Sequence, residues 1–219
     1  MKLKKKNIII SICLIILSVI YTILVKYVDV APIGPKASSV GFSTLNKFVF
    51  NFLGRSNIWY NITEVLGMIS ILIALFYALI GLYKLIKNKS ILKIDKEIII
   101  LGIFYFVVLL VYLFFEKVII NYRPVLVKGV LEASYPSSHT MLSICICLSA
   151  MIINNKLYKS MRISKIINTL SIIIMITTTI GRLLSGMHWI SDILGGIIIS
   201  ICLSYIFKTV IYSLNEEES

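Results

Sequence analysis

Residues 181–192 read Gly181-Arg182-Leu183-Leu184-Ser185-Gly186-Met187-His188-Trp189-Ile190-Ser191-Asp192, a polar interruption between two apolar runs. The run before it extends from about Ile166 to Leu184, the run after it from about His188 to Tyr212. At about 20 mainly apolar residues each, both are long enough to cross a bilayer as helices. A turn that carries arginine, histidine and aspartate between two membrane helices is costly unless those groups are used. The stretch therefore points to helices threaded through a membrane, with the chemistry at their ends.

Four more runs qualify as spans: Asn7 to Lys26, Ile62 to Tyr83, Glu97 to Phe115 and Ser138 to Ile153. The chain has 219 residues, 58% hydrophobic and 15% charged. Soluble domains average about 45–50% apolar and about 25% charged residues, so a soluble fold is excluded. The expected architecture is an all-α, polytopic membrane protein, six transmembrane helices in a bundle with the site at the outer-face helix ends. Residues 1–219 form one domain, with a motif-bearing core over about 97–213 and an outer loop over 27–60. The first apolar run is longer than that of a signal peptide and no Ala-x-Ala site follows, so it reads as a retained anchor. In the outer loop, Phe42, Leu45, Phe48, Val49 and Phe52 recur at helical spacing. They predict a short interfacial helix on the outer membrane surface that guides lipid towards the site.

Lysine and arginine bias sets the orientation. With the N-terminus in the cytoplasm, the inner side collects Lys2, Lys4, Lys5, Lys6, Lys84, Lys87, Lys89, Lys93, Lys96, Lys156, Lys159, Arg162, Lys165 and Lys208. The outer side holds fewer basic residues, several of them inside motifs. Both termini are then cytoplasmic and the site faces outside. The net charge of +12 follows from topology and affinity for anionic headgroups, with no call on nucleic acid. The acidic end Asn215-Glu216-Glu217-Glu218-Ser219 reads as a solvated tail. Cys13, Cys145, Cys147 and Cys202 lie in spans without metal-ligand spacing and read as small apolar residues. Trp59 and Trp189 read as interfacial belt residues, and Gly195 and Gly196 as sites of close packing.

The chain has two histidines, and both fall in motifs: His188 above and His139 in Tyr135-Pro136-Ser137-Ser138-His139. A third run, Asn121-Tyr122-Arg123-Pro124, lies shortly before. In the expected topology Arg123, His139, Arg182 and His188 converge on one membrane face. Arg123 and Arg182 supply planar forks of donors suited to phosphate oxygens. Helix N-termini add backbone N–H groups, with Ser137 or Ser138 capping the fourth span and His188 opening the sixth. His188 and Asp192, four residues apart, share a helix face, so the carboxylate can hold one ring nitrogen and free the other to attack. Attack on phosphorus gives a phosphohistidine; His139 protonates the leaving group and then serves as base for water. The arginines supply the positive charge, so neither a metal nor another cofactor is required.

The three runs resemble the signature of the type 2 phosphatidic acid phosphatase family, membrane relatives of the vanadium haloperoxidases. The pattern is a lysine, six residues, Arg-Pro; then Pro-Ser-Gly-His; then Ser-Arg, five residues, His, three residues, Asp. Arg123 and Pro124 match the end of the first motif, Pro136, Ser137 and His139 the second, and Arg182, His188 and Asp192 the third. Three departures stand out. Lys117 precedes Arg123 by one position too few, and Glu116 occupies the lysine's place; Ser138 replaces the glycine; Gly181 replaces the serine. Lys117 is kept as a candidate phosphate contact through its long stem. The resemblance implies a metal-independent lipid phosphatase, with phosphatidic acid, phosphatidylglycerol phosphate or undecaprenyl diphosphate as substrate, or a lipid phosphotransferase. The sequence does not choose among them; the resemblance, more than any residue, leans towards the diphosphate, together with an outward site and a basic edge at Lys117 and Lys128. An anion or lipid transporter, which binds near the bilayer midplane, fits poorly with span centres almost free of charge. Oligomeric state stays open.

Overall fold

The computed structural model describes residues 2–157 and 161–218; Lys159 of the inner basic set and Ser219 of the acidic tail lie outside them. The elements are α1 (Lys2–Tyr27), α2 (Ser43–Leu53), α3 (Asn57–Asn88), α4 (Lys96–Lys117), α5 (Ser138–Leu157), α6 (Met161–Leu184) and α7 (Ile190–Glu218), with single 3-10 turns at Pro35–Ala37 and Ile91–Lys93. All but α2 are long and apolar enough to cross a membrane. The protein is a multi-pass, all-helical membrane protein, and only isolated β-bridges occur among the described residues. The helices outrun the expected spans by several residues because polar end residues continue the backbone ladder into the headgroup region.

α5 is the central helix, packed against α3, α6 and α7, with α1 on the far side of α7. It is the least apolar span, yet 56% of it is buried, against 11% of α1 and of α3. The reason is size rather than oiliness. Without a hydrophobic drive between helices in lipid, small side chains that let backbones approach win the centre. Ser143, Cys145, Cys147, Ser149 and Ala150 do this in α5, whereas the Ile and Leu of α1 and α3 face outward. The four cysteines are free, Cys13 exposed and the other three buried.

The chain alternates direction, so the C-terminal ends of α1, α4 and α6 meet the N-terminal ends of α3, α5 and α7. At the opposite end Lys156 pairs with Glu97 (2.5 Å) and Lys84 with Asp95. α2 lies at the motif-bearing end and is built inside out. Ser43 and Asn46 are buried, whereas Leu45, Phe48 and Phe52 are 47%, 69% and 80% exposed. Asp29 caps it by accepting from Thr44 N (2.8 Å) and Ser43 Oγ (2.9 Å). The Thr44 amide first, then the Ser43 hydroxyl, hold the Asp29 carboxyl below the usual carboxylate range. A water-facing helix would present the reverse pattern. This one directs its apolar face away from the protein, as an interfacial helix does.

Candidate active site

α6 ends where Gly186, at φ +66°, takes the left-handed conformation that closes a helix C-terminus. The chain then turns, and α7 starts at Ile190, so His188 precedes the helix and does not open it. Asp192 sits in the first turn of α7 and reaches back to accept from Trp189 N (3.0 Å). That is half of a capping box, and it fixes the carboxylate at the positive end of the helix. Asp192 also accepts from Asn121 Nδ2 (3.0 Å) and from Ser134 Oγ (2.5 Å).

The expected direct bond between His188 and Asp192 is replaced by a relay. His188 Nδ1 lies 3.0 Å from the Ser134 carbonyl and 3.2 Å from the Ser134 hydroxyl. Because that hydroxyl gives its hydrogen to Asp192, the ring must carry its own proton on Nδ1 and donate it to Ser134. The lone pair is then on Nε2, which lies 3.3 Å from Arg123 NH1. The phase of α7 explains the change: with His188 outside the helix, the four-residue spacing no longer stacks the two side chains. Burial, followed by the charges of Arg123, Arg182 and His139, holds His188 well below the ordinary histidine range. The neutral, nucleophilic form therefore persists as pH falls. The acid limb of kcat/KM that belongs to this group is expected below its ordinary value of about 6.5, checked by a pH–rate profile.

Arg123 is placed by the loop between α4 and α5. Residues 121–134 fold back as a narrow ribbon, with Arg123 N donating to Glu132 O (3.1 Å) and Ser134 N to Asn121 O (2.9 Å). Arg123 Nε lies 3.2 Å from Glu132 Oε2 but without hydrogen-bond alignment. Arg182, 1% exposed at the end of α6, donates to Glu64 Oε1 (2.9 Å) and Thr63 Oγ1 (3.2 Å) of α3 and stacks over Tyr60. Arg123 Nε, Arg182 Nε and His139 Nδ1 are buried without a partner among the described residues. Buried polar groups are rarely left so. Arg123, with its unsatisfied Nε, lines one cleft with His188 and with Ser138 at the start of α5, whose leading amides have no acceptor within the helix, a place for an oxyanion; Arg182 is joined to His139 through Glu64.

A model of the PAP2 superfamily matches residues 64–216, which include every motif above. The chain belongs to the PAP2 superfamily. No curated protein matches the sequence closely enough to serve as a relative. Among solved structures, the fold resembles the crystal structure of a transmembrane PAP2-type phosphatidylglycerolphosphate phosphatase from Bacillus subtilis. The TM-score is 0.65 over 95% of this chain and 97% of that one, at 15% identity. At that identity the likeness shows a shared membrane fold.

Against the PAP2 pattern, the departures now have physical reasons. Lys117 is exposed and does not line the cleft beside His188, whereas Glu116 does, with Tyr112, Arg123, Ser134 and Ser138. One residue along a helix is about a 100° turn, so the shifted lysine points away and a carboxylate takes its place. Gly181 stands where the pattern has serine because α3 packs against it: a Cβ there would fall 2.6 Å from Thr63 and 2.9 Å from Trp59. Ser138 lines the cleft as expected, but Ser137 is tied up internally, its amide on Asp192 O (3.0 Å) and its hydroxyl on Thr140 (3.0 Å). Trp189 is no belt residue; it is buried, donates to Tyr122 O (2.7 Å) and packs on Phe50. Gly195 does admit close packing, of the Tyr135 ring, which a Cβ would approach to 2.2 Å. Ser134, Asn121 and Glu64 were not singled out from sequence. Asn121 stands inside a motif run and Ser134 beside one, whereas Glu64 has no local signal.

Proposed function

We infer that this PAP2 protein is a metal-independent phosphatase that hydrolyses a lipid phosphate through a phosphohistidine on His188. The observation that carries the reading is the contact of His188 Nδ1 with the Ser134 carbonyl (3.0 Å): a carbonyl can only accept, so the proton sits on Nδ1 and the Nε2 lone pair is left beside Arg123. Arg123, Arg182 and the first turn of α5 at Ser138 hold the phosphoryl oxygens and offset the charge of the pentacoordinate state. His139 protonates the leaving oxygen, and then takes a proton from the water that releases phosphate. Asp192 orients His188 through Ser134. Ser137 acts by fixing the start of α5 on α7, not by touching phosphate, and Lys117 has no part.

The site faces outside, since the basic ends of α3, α5 and α6 lie opposite to it. The substrate is a monophosphate in preference to a diphosphate. The lean towards undecaprenyl diphosphate draws on the family resemblance, the outward site and a basic edge at Lys117 and Lys128; of these the basic edge is the weakest, since Lys117 is exposed and Glu116 takes the cleft-lining place beside His188. Glu64, Glu116 and Glu132 instead gather around the two arginines and would repel a second phosphate. Phosphatidic acid and phosphatidylglycerol phosphate are expected to be turned over at least about tenfold more efficiently than undecaprenyl diphosphate, about 1.4 kcal/mol. Phosphate release from purified protein in detergent measures this; equal or reversed efficiencies refute the monophosphate reading, and no release from any of the three refutes the phosphatase. In the same assay, Leu45, Phe48 and Phe52 replaced together by serine should slow long-chain but not short-chain substrates if α2 guides lipid entry.

A further inference from the structure

Glu64 belongs to none of the motifs, yet its Oε1 stands 2.9 Å from Arg182 NH1 and 3.3 Å from His139 Nε2. An acid near the start of an apolar membrane helix is expensive unless it is used. The ion pair with Arg182 accounts for part of its presence. The contact with the imidazole is built separately. Gly67 lies three residues further along α3, on the same face. A Cβ at Gly67 would fall 2.7 Å from His139 Cδ2 and 3.2 Å from Nε2. With no Cβ at Gly67, the His139 ring comes close enough to α3 for Nε2 to meet Glu64; a side chain there would have to displace it. The other nitrogen, Nδ1, is buried and has no partner among the described residues. One ring nitrogen is thus tied to a carboxylate and the other left for a reacting group, the arrangement that orients an imidazole for proton transfer.

We propose that Glu64 is the positioning residue of the proton donor: it accepts Nε2–H of His139, so that Nδ1 gives the proton to the leaving group and later takes one from water. The proposal rests on the reading of His139 as the group that transfers protons. In the first step the lone pair of His188 Nε2 forms the P–N bond while the P–O bond breaks. The leaving oxygen takes the proton of His139 Nδ1, and Nε2–H stays on Glu64. In the second step a water oxygen bonds phosphorus, its proton goes to Nδ1, and the P–N pair returns to His188. Glu64 carries the negative charge that offsets the repulsion Arg182 exerts on a cationic His139 ring.

The leaving group tells this role from a structural one. Phosphatidic acid loses an alkoxide that needs a proton, whereas p-nitrophenyl phosphate loses a stable phenolate that does not. Glu64→Gln is expected to lower kcat/KM for phosphatidic acid by about tenfold or more, and for p-nitrophenyl phosphate by less than about threefold. If Glu64 only steadied Arg182, phosphate binding would suffer with both; equal losses, or no loss on phosphatidic acid, overturn the proposal. Gly67→Ala, which displaces the ring and keeps the carboxylate, should give the same selective loss, and serves if the glutamine variant does not fold. Equal losses there also overturn it. His139→Ala in the same assay separates the premise from the proposal. A selective loss in His139→Ala without one in Glu64→Gln refutes the positioning role alone. Equal losses in His139→Ala remove the proton-donor reading, and the proposal with it.

Discussion

Alanine at His188 is expected to abolish phosphate release, with kcat/KM falling at least about 10⁴-fold, a loss of about 5.5 kcal/mol. Nothing else in the chain can replace the attacking atom. The one other histidine, His139, has its Nε2 turned to Glu64 on α3. On the proposed mechanism the loss of His188 removes the covalent path, and what survives is the electrostatic effect of Arg123 and Arg182 on attack by water. Acid-labile labelling of the protein by radiolabelled substrate should vanish in the same variant. Vanadate should inhibit the unmodified protein, as an analogue of the pentacoordinate phosphoryl state, and chelators should not. Retained turnover in His188→Ala, or strict dependence on Mg²⁺, would sink the mechanism.

Asp192→Asn is expected to cost about 10²- to 10³-fold in kcat/KM, about 2.7–4 kcal/mol. The carboxylate receives three donors, from Ser134, Trp189 and Asn121. An amide offers one acceptor oxygen and places its NH₂ against at least one of those donors. Either the NH₂ faces Asn121 and the neutral amide oxygen holds the Ser134 hydroxyl more weakly, or it faces Ser134 and Trp189 and frees that hydroxyl to compete for His188 Nδ1; both disturb the tautomer. The Nδ1–H bond to the Ser134 carbonyl survives, so the loss stays below that of His188→Ala. Ser134→Ala separates a relay from a direct contact. It should cost about tenfold, because the carbonyl remains while the link to Asp192 is gone. If Ser134→Ala had wild-type activity and Asp192→Asn did not, Asp192 would be acting on the histidine without the hydroxyl.

The spans and the motif end of the bundle were legible because their signals are local. Apolar length identifies a membrane helix without any knowledge of its neighbours. Arg182, His188 and Asp192 are bound by short spacings within one turn, and α2 declared itself by its 3.6-residue period. The misread features depend on where a helix begins. His188 was expected to open α7; the start at Ile190 turned a direct His–Asp pair into a relay through Ser134. Lys117 lies one residue of helical phase from Glu116, which lines the cleft. Glu64 was invisible for a different reason: its partners are 118 and 75 residues away, and only the packing of α3 against α5 and α6 brings them together. No window on the sequence contains that fact.

The inverted face of α2 has a consequence for biosynthesis. Asn46 donates to Ser191 Oγ (2.9 Å) and accepts from Ser191 N (3.1 Å), across 145 residues of chain. The ribosome delivers Asn46 long before Ser191, because synthesis runs from the N-terminus. Through that interval the polar side of α2 has only its local partners, Gly41 O for Asn46 and Asp29 for Ser43, and lacks the tie that fixes it on α7. Ser191 then ties α2 to the residue beside Asp192, and the nascent protein becomes a competent catalyst only when its final helix is in place.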